Sequence, residues 1–175
     1  MATNVDQIIE FVEALKIKYT RRDDGTIVML SGDDNDTQAS FIRLKEDGEM
    51  FSMETNIYDK ESDMIKIAAD SPHKLAIYEY ILMRNFNLKF GCWEVDTGDG
   101  EIRFTVEFPL EDSLLTSKQF TRIISIVMGK QAGEMFSELR RVISTGSKES
   151  SANDEIARLE AELTKLRGGS ASDGI

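Results

Sequence analysis

FGCWEVDTGDGEIRFTVEF, residues 90 to 108, is the stretch from which the rest of the chain can be read. Two runs, Phe90 to Asp96 and Glu101 to Phe108, flank Thr97-Gly98-Asp99-Gly100. Glycine and aspartate tolerate the backbone of a tight turn, so the centre predicts a two-residue loop at Gly98–Asp99 or at Asp99–Gly100. Either loop pairs odd with even positions. Trp93 and Val95 then share a face with Ile102, Phe104, Val106 and Phe108. Arg103, Thr105 and Glu107 join Cys92 and Glu94 on the other face. Turn chemistry and alternation agree on register, as a half-buried hairpin requires.

Upstream, Thr26 to Ser31, Gln38 to Lys45 and Glu49 to Tyr58 read as three more strands. In the third, Phe51, Met53, Thr55 and Ile57 alternate with Ser52, Glu54 and Asn56, the period of a strand with one wet face. Short turns between these runs favour antiparallel neighbours. Before them, a helix is expected from about Asn4 to Tyr19, capped by Thr3 or Asn4, with Ile8, Phe11, Val12 and Leu15 on one face.

Between the third strand and the hairpin, Ser71 is the expected cap of a second helix running to about Asn87. Pro72 would take its first position, where a missing N–H costs nothing. Leu75, Ile77, Tyr78, Tyr80, Ile81, Leu82, Met83 and Phe86 make this helix apolar nearly all round. Such a helix needs cover on more than one face. The cover is either the rest of the monomer or a partner. In the second case the helix lies at a dimer or partner interface.

After Pro109, Thr116 or Ser117 is expected to cap a long helix reaching about Ser144. Gly129, Ala132 and Gly133 leave a small, flat patch in its middle, a further candidate for the interface. A helical glycine costs about 1 kcal/mol against alanine, so two so close predict a kink or a close-packed neighbour. Residues 1–144 read as one domain and 145–152 as a linker. Residues 153–167 read as a short amphipathic helix and 168–175 as a disordered tail. Ile156, Leu159, Leu163 and Leu166 form the apolar seam of that short helix, at alternating steps of three and four. The element order α-β-β-β-α-β-β-α places the chain in the α+β class, with an antiparallel sheet.

Composition narrows the function. The 175 residues are 41% hydrophobic, enough for a core, and carry a formal net charge of −11. Nucleic-acid phosphates and anionic lipid heads repel such a chain, so neither is an expected partner. With one cysteine, Cys92, no intramolecular disulfide can form. No signal peptide or membrane-length apolar run is visible, and a soluble cytoplasmic protein is expected.

Chemistry finds little to stand on. His73 is the single histidine and is expected to be a solvated surface residue; with one His and one Cys, zinc sites built from those ligands are excluded. Asp33, Asp34 and Asp36 crowd one loop, but Gln38 stands where a calcium loop needs glycine. Asp96-Thr97-Gly98 spells the aspartic-protease tripeptide and is better explained as turn residues. No metal, cofactor or catalytic residue is expected, and the chain is not expected to be an enzyme.

KLAIYEYILMRNFNLKFGCWEVD, GEIRFTVEFPLEDSLLTSKQFTRIISIV and MFSELRRVI carry a family likeness. A helix ends in Arg84-Asn85, a strand starts at Phe90-Gly91, the hairpin ends in Phe108-Pro109-Leu110, and Leu115-Thr116 opens the last helix. In these features the chain resembles the YbjN family of bacterial sensory-transduction regulators. Its element order resembles the type III secretion chaperone-like fold. The resemblance implies a non-catalytic α+β domain, with no family catalytic residue to transfer. It also implies a homodimer that binds an extended client segment, with the second helix at the dimer interface, which makes Ile77, Tyr80, Ile81 and Met83 the expected partner or dimer contacts. A protein partner is thus expected, held by strand pairing or in a groove. Two other roles remain open: an adaptor acting through the 153–167 helix, and a small-molecule sensor with a pocket between sheet and helix.

Overall fold

The computed structural model describes residues 2–32, 36–59, 61, 63–127, 130–148 and 156, with backbone alone at 36 and 130–134. α1 (Val5–Ala14) starts where Asn4 Oδ1 accepts from the Gln7 N–H at 2.9 Å and Gln7 Oε1 accepts from the Asn4 N–H at 3.0 Å. Two otherwise orphaned donors are thereby satisfied. The helix stops five residues short of Tyr19, because Lys16 turns to a positive φ of 57°. Tyr19–Arg21 is instead β1, a strand the sequence reading did not contain. Three residues are too few for alternation to be legible.

β2 (Ile27–Gly32), β3 (Asp36–Lys45) and β4 (Met50–Asp59) follow as an antiparallel meander. α2 (Lys74–Asn87) precedes the hairpin of β5 (Cys92–Val95) and β6 (Ile102–Pro109). The hairpin pairs Trp93 with Phe104 and Val95 with Ile102, the register of the Gly98–Asp99 loop. β6 lies against β4, so the six strands run β1-β2-β3-β4-β6-β5, every neighbour antiparallel. Both edge strands, β1 and β5, are short, which limits the unpaired backbone on offer.

The fold is α+β, with one face of the sheet carrying the core. Ile27, Met29, Ile42, Phe51, Met53, Ile57, Ile102 and Val106 meet Ile8 and Val12 of α1, Ile77 of α2 and the inner faces of α3 (Ser117–Val127) and α4 (Lys130–Thr145). Thr116 caps α3: its Oγ1 accepts from the Gln119 N–H at 3.2 Å, and Gln119 Oε1 accepts from the Thr116 N–H at 2.9 Å.

One helix expectation is corrected: α2 begins at Lys74, two residues after Pro72; Ser71 Oγ instead accepts from the His73 N–H at 3.3 Å and holds the turn that leads in. The expected long last helix is described as α3, to Val127, and α4, from Lys130, with residues 128–129 outside the described residues. The expected Gly129 lies outside the described residues. Ala132 and Gly133 are in the first turns of α4, described by backbone alone.

The family-like motif residues have structural work. Gly91 takes φ +76°, and a Cβ there would sit 2.5 Å from the Phe104 ring. Phe108 stacks on Phe51 with centroids 5.2 Å apart. The Leu115 N–H donates to buried Thr3 Oγ1 at 2.8 Å, tying the start of the chain to the entry of α3.

Candidate protein-binding surface

α2 divides into an inner and an outer face. Ile77, Tyr80 and Ile81 point inward and are buried by the sheet and α4 within one chain. Tyr80 Oη donates to Glu138 Oε2 at 2.9 Å and accepts from Arg84 Nε at 3.1 Å; Arg84 also pairs directly with Glu138. The Arg84 guanidinium lies 5.2 Å from the centre of the Tyr80 ring. Burial pushes the Tyr80 phenol above its ordinary pKa, with Arg84 opposing the shift, so the hydroxyl stays protonated and able to donate. This network bolts α2 to α4.

The outer face carries exposed Glu79 and a run of uncovered apolar side chains. Leu75 is 70% exposed, Leu82 68%, Phe86 91% and Met83 39%. With half-buried Tyr78 they form a stripe at steps of three and four, one side of a helix. Single exposed apolar residues are ordinary, but a contiguous stripe of four is the mark of an interaction site. Beside it, between α2 and α4, a groove of about 360 Å³ is lined by Ala76, Glu79, Tyr80, Met83, Val142 and Lys148.

The apolar surplus read from the sequence is therefore real, but its partition differs from expectation. Of the four α2 contacts expected, Ile77, Tyr80 and Ile81 belong to the monomer's own core, and Met83 alone reaches the surface. Leu75, Leu82 and Phe86 take their place. Residues 77, 80, 81 and 84 share one side of a helix, which leaves 75, 82 and 86 on the other, but periodicity alone does not say which side is the inner one. Of the expected tail contacts, Ile156 is helical and 53% exposed, while Leu159, Leu163 and Leu166 lie outside the described residues.

At the β5–β6 end of the sheet a hollow of about 430 Å³ is lined by Glu94, Val95, Asp96, Thr97, Glu101 and Arg103. On the sheet face away from the helices, Arg43 pairs with Glu54 at 2.9 Å, Lys45 with Glu107 at 2.7 Å and Arg103 with Glu94 at 2.8 Å. The Lys45 and Ser52 hydrogen bonds hold the Glu107 carboxyl below its ordinary pKa. Arg22 and Arg43 both lie over Phe41. The β5 edge is sealed at Trp93, whose N–H donates to Asn85 Oδ1 at 2.8 Å while its carbonyl accepts from Asn85 Nδ2 at 2.9 Å. An incoming strand would find both groups taken, so main-chain pairing is blocked there.

Nor does chemistry gather. A void of about 10 Å³ between Thr55, Trp93, Phe104 and Met135 has room for roughly one water, not for a metabolite. Among the described residues no group of three His, Cys, Asp or Glu is placed to hold a metal. The Asp33–Asp34 loop lies outside the described residues. Asp96 Oδ1 accepts from the Gly98 N–H at 2.7 Å, a turn contact. The thiol of half-buried Cys92 is pushed up by burial and by Glu94, which disfavours the thiolate. His73, expected to be solvated, is half-buried against Gly146. No helix among the described residues is long and apolar enough to cross a membrane.

Three comparisons bear on these observations. The profile of the YbjN family, described as "Putative bacterial sensory transduction regulator", matches residues 4–139. No curated protein matches the chain. A chain in the solved structure of the HopA1–SchA chaperone–effector complex is similar at 14% identity and a TM-score of 0.45, covering 71% of this chain and 88% of that one.

Proposed function

The chain belongs to the YbjN family, and from that premise we propose that it is a non-catalytic regulatory protein that holds another polypeptide, in the manner of a chaperone, along α2. The observation that carries this reading is the uncovered stripe of Leu75, Leu82, Met83 and Phe86. A bound segment removes that stripe from water, worth about 25 cal/mol per Å² of apolar area buried. The groove beside it supplies shape, and Glu79 and Lys148 on its rim supply polar contacts. With Trp93 sealed by Asn85, side chains in a groove rather than a strand added at β5 provide recognition. The partner is a protein, and the site of action is the cytoplasm. A second copy of the chain, packed stripe to stripe, is the homodimeric form of the same reading.

Leu82→Glu/Phe86→Glu is the test. Both side chains are solvent-facing, so the variant should fold, as circular dichroism can verify. Immobilised wild type should retain native-lysate proteins that the variant loses, and wild type should sediment as a dimer where the variant is a monomer if the partner is a second copy. Identical retention and identical sedimentation would remove the stripe as a binding surface.

A further inference from the structure

α4 ends where α2 begins. Gly146 follows α4 at φ +74°, and a Cβ there would lie 2.7 Å from His73 Nδ1. Ser147 and Lys148 then line the groove with Ala76 and Met83. The chain thus leaves the domain beside the N-terminal end of the α2 stripe. From Lys148 to Ile156 is eight residues, a reach of up to about 26 Å. α2, with 14 residues, is about 21 Å long, so its whole length lies within the tether.

The two apolar patterns match in period. On α2, Leu75, Tyr78, Leu82 and Phe86 advance by three, four and four; in the tail, Ile156, Leu159, Leu163 and Leu166 advance by three, four and three. A helix entering at the N-terminal end of α2 runs parallel to it. Ile156 then meets Leu75, Leu159 meets Tyr78 and Leu163 meets Leu82, three pairs with one offset, with Leu166 a residue from register at Phe86. Ile156 is already helical, and its side chain, like the stripe, is open to water. Each surface lacks the cover the other has to give.

We propose that residues 153–167 fold back as a helix and dock on the α2 stripe of the same molecule, competing with the bound polypeptide. This rests on the partner-binding reading of the stripe and adds its regulator. Tethering through the residues that separate Lys148 from Ile156 gives the tail an effective concentration on the order of millimolar, which favours docking within one chain over exchange between chains.

Thiol pairs in the full-length chain, with Cys92→Ser as background, test the proposal. Leu82→Cys combined with Leu163→Cys places both thiols in the docked contact. Leu82→Cys combined with Ala161→Cys keeps the tether but puts the second thiol on the far side of the tail helix. Under mild oxidation at low protein concentration, the first pair should form its intrachain disulfide at least about tenfold faster than the second, since tethering alone favours neither. Equal rates would overturn docking. An interchain disulfide would overturn it too, by making a second copy's tail the occupant. Leu159→Glu/Leu163→Glu in the full chain separates this proposal from the parent reading. Docking predicts that this variant retains more partner than wild type. Unchanged retention together with equal disulfide rates removes the tail and leaves the stripe as a partner site.

Discussion

Asn85 does for β5 what a seventh strand would do. Its side-chain amide offers a donor and an acceptor at the spacing of a peptide group, and Trp93 uses both. Asn85→Ala leaves those two backbone groups without partners. It should cost about 1–3 kcal/mol in chemical denaturation, and the unsealed edge should raise the tendency to self-associate. An Asn85→Ala protein as stable and as monodisperse as wild type would contradict this role. Gly91 is constrained twice, by its positive φ and by the Phe104 ring. Gly91→Ala should lower stability by roughly 2 kcal/mol or more, from left-handed strain and overpacking together. Both residues are letters of the family-like motif. Their roles were not legible, because each depends on a residue brought close by the fold: Trp93 for one, Phe104 for the other.

α2 shows how far periodicity reaches. Its apolar surplus was legible and the division between its faces was not, because the sequence offers no polar side to mark the surface. The Tyr80–Arg84–Glu138 network decides the matter, and Glu138 lies 54 residues beyond Arg84. The two faces should respond differently to mutation. Ile77→Ala should cost about 2–5 kcal/mol, a buried truncation. Leu82→Glu should stay within about 0.5 kcal/mol, a surface change. Similar costs at both positions, read by thermal or chemical unfolding, would contradict the division. On the open sheet face, Lys45 and Ser52 hold the Glu107 carboxyl low. The unfolded chain therefore takes up this proton first as pH falls. The stability from the pair is fully present above the ordinary carboxylate range and is lost as pH drops through the depressed value. Wild type should melt above Glu107→Gln at neutral pH, and the two melting temperatures should converge on acidification. A gap independent of pH would contradict the pairing. The pair is exposed, so the gap is small, at most about 1 kcal/mol.

Taken whole, the molecule is a six-stranded antiparallel sheet with its helices on one side and a self-paired polar face on the other. Class, the two faces of the hairpin and three of the central strands were readable from alternation and turn residues, while the hairpin register stayed open between two loops until the pairing of Trp93 with Phe104. β1 was not readable, being set by a three-residue pairing. The proposed function rests on what the fold leaves uncovered, the apolar stripe of α2. The most direct measurement is photo-crosslinking in native cells, with a benzophenone side chain at Phe86 and, as control, at Leu30, which is also exposed but lies on the open sheet face. Discrete higher-mass polypeptide adducts are expected from position 86 and few from position 30. Equal yields from the two positions would contradict the proposed function.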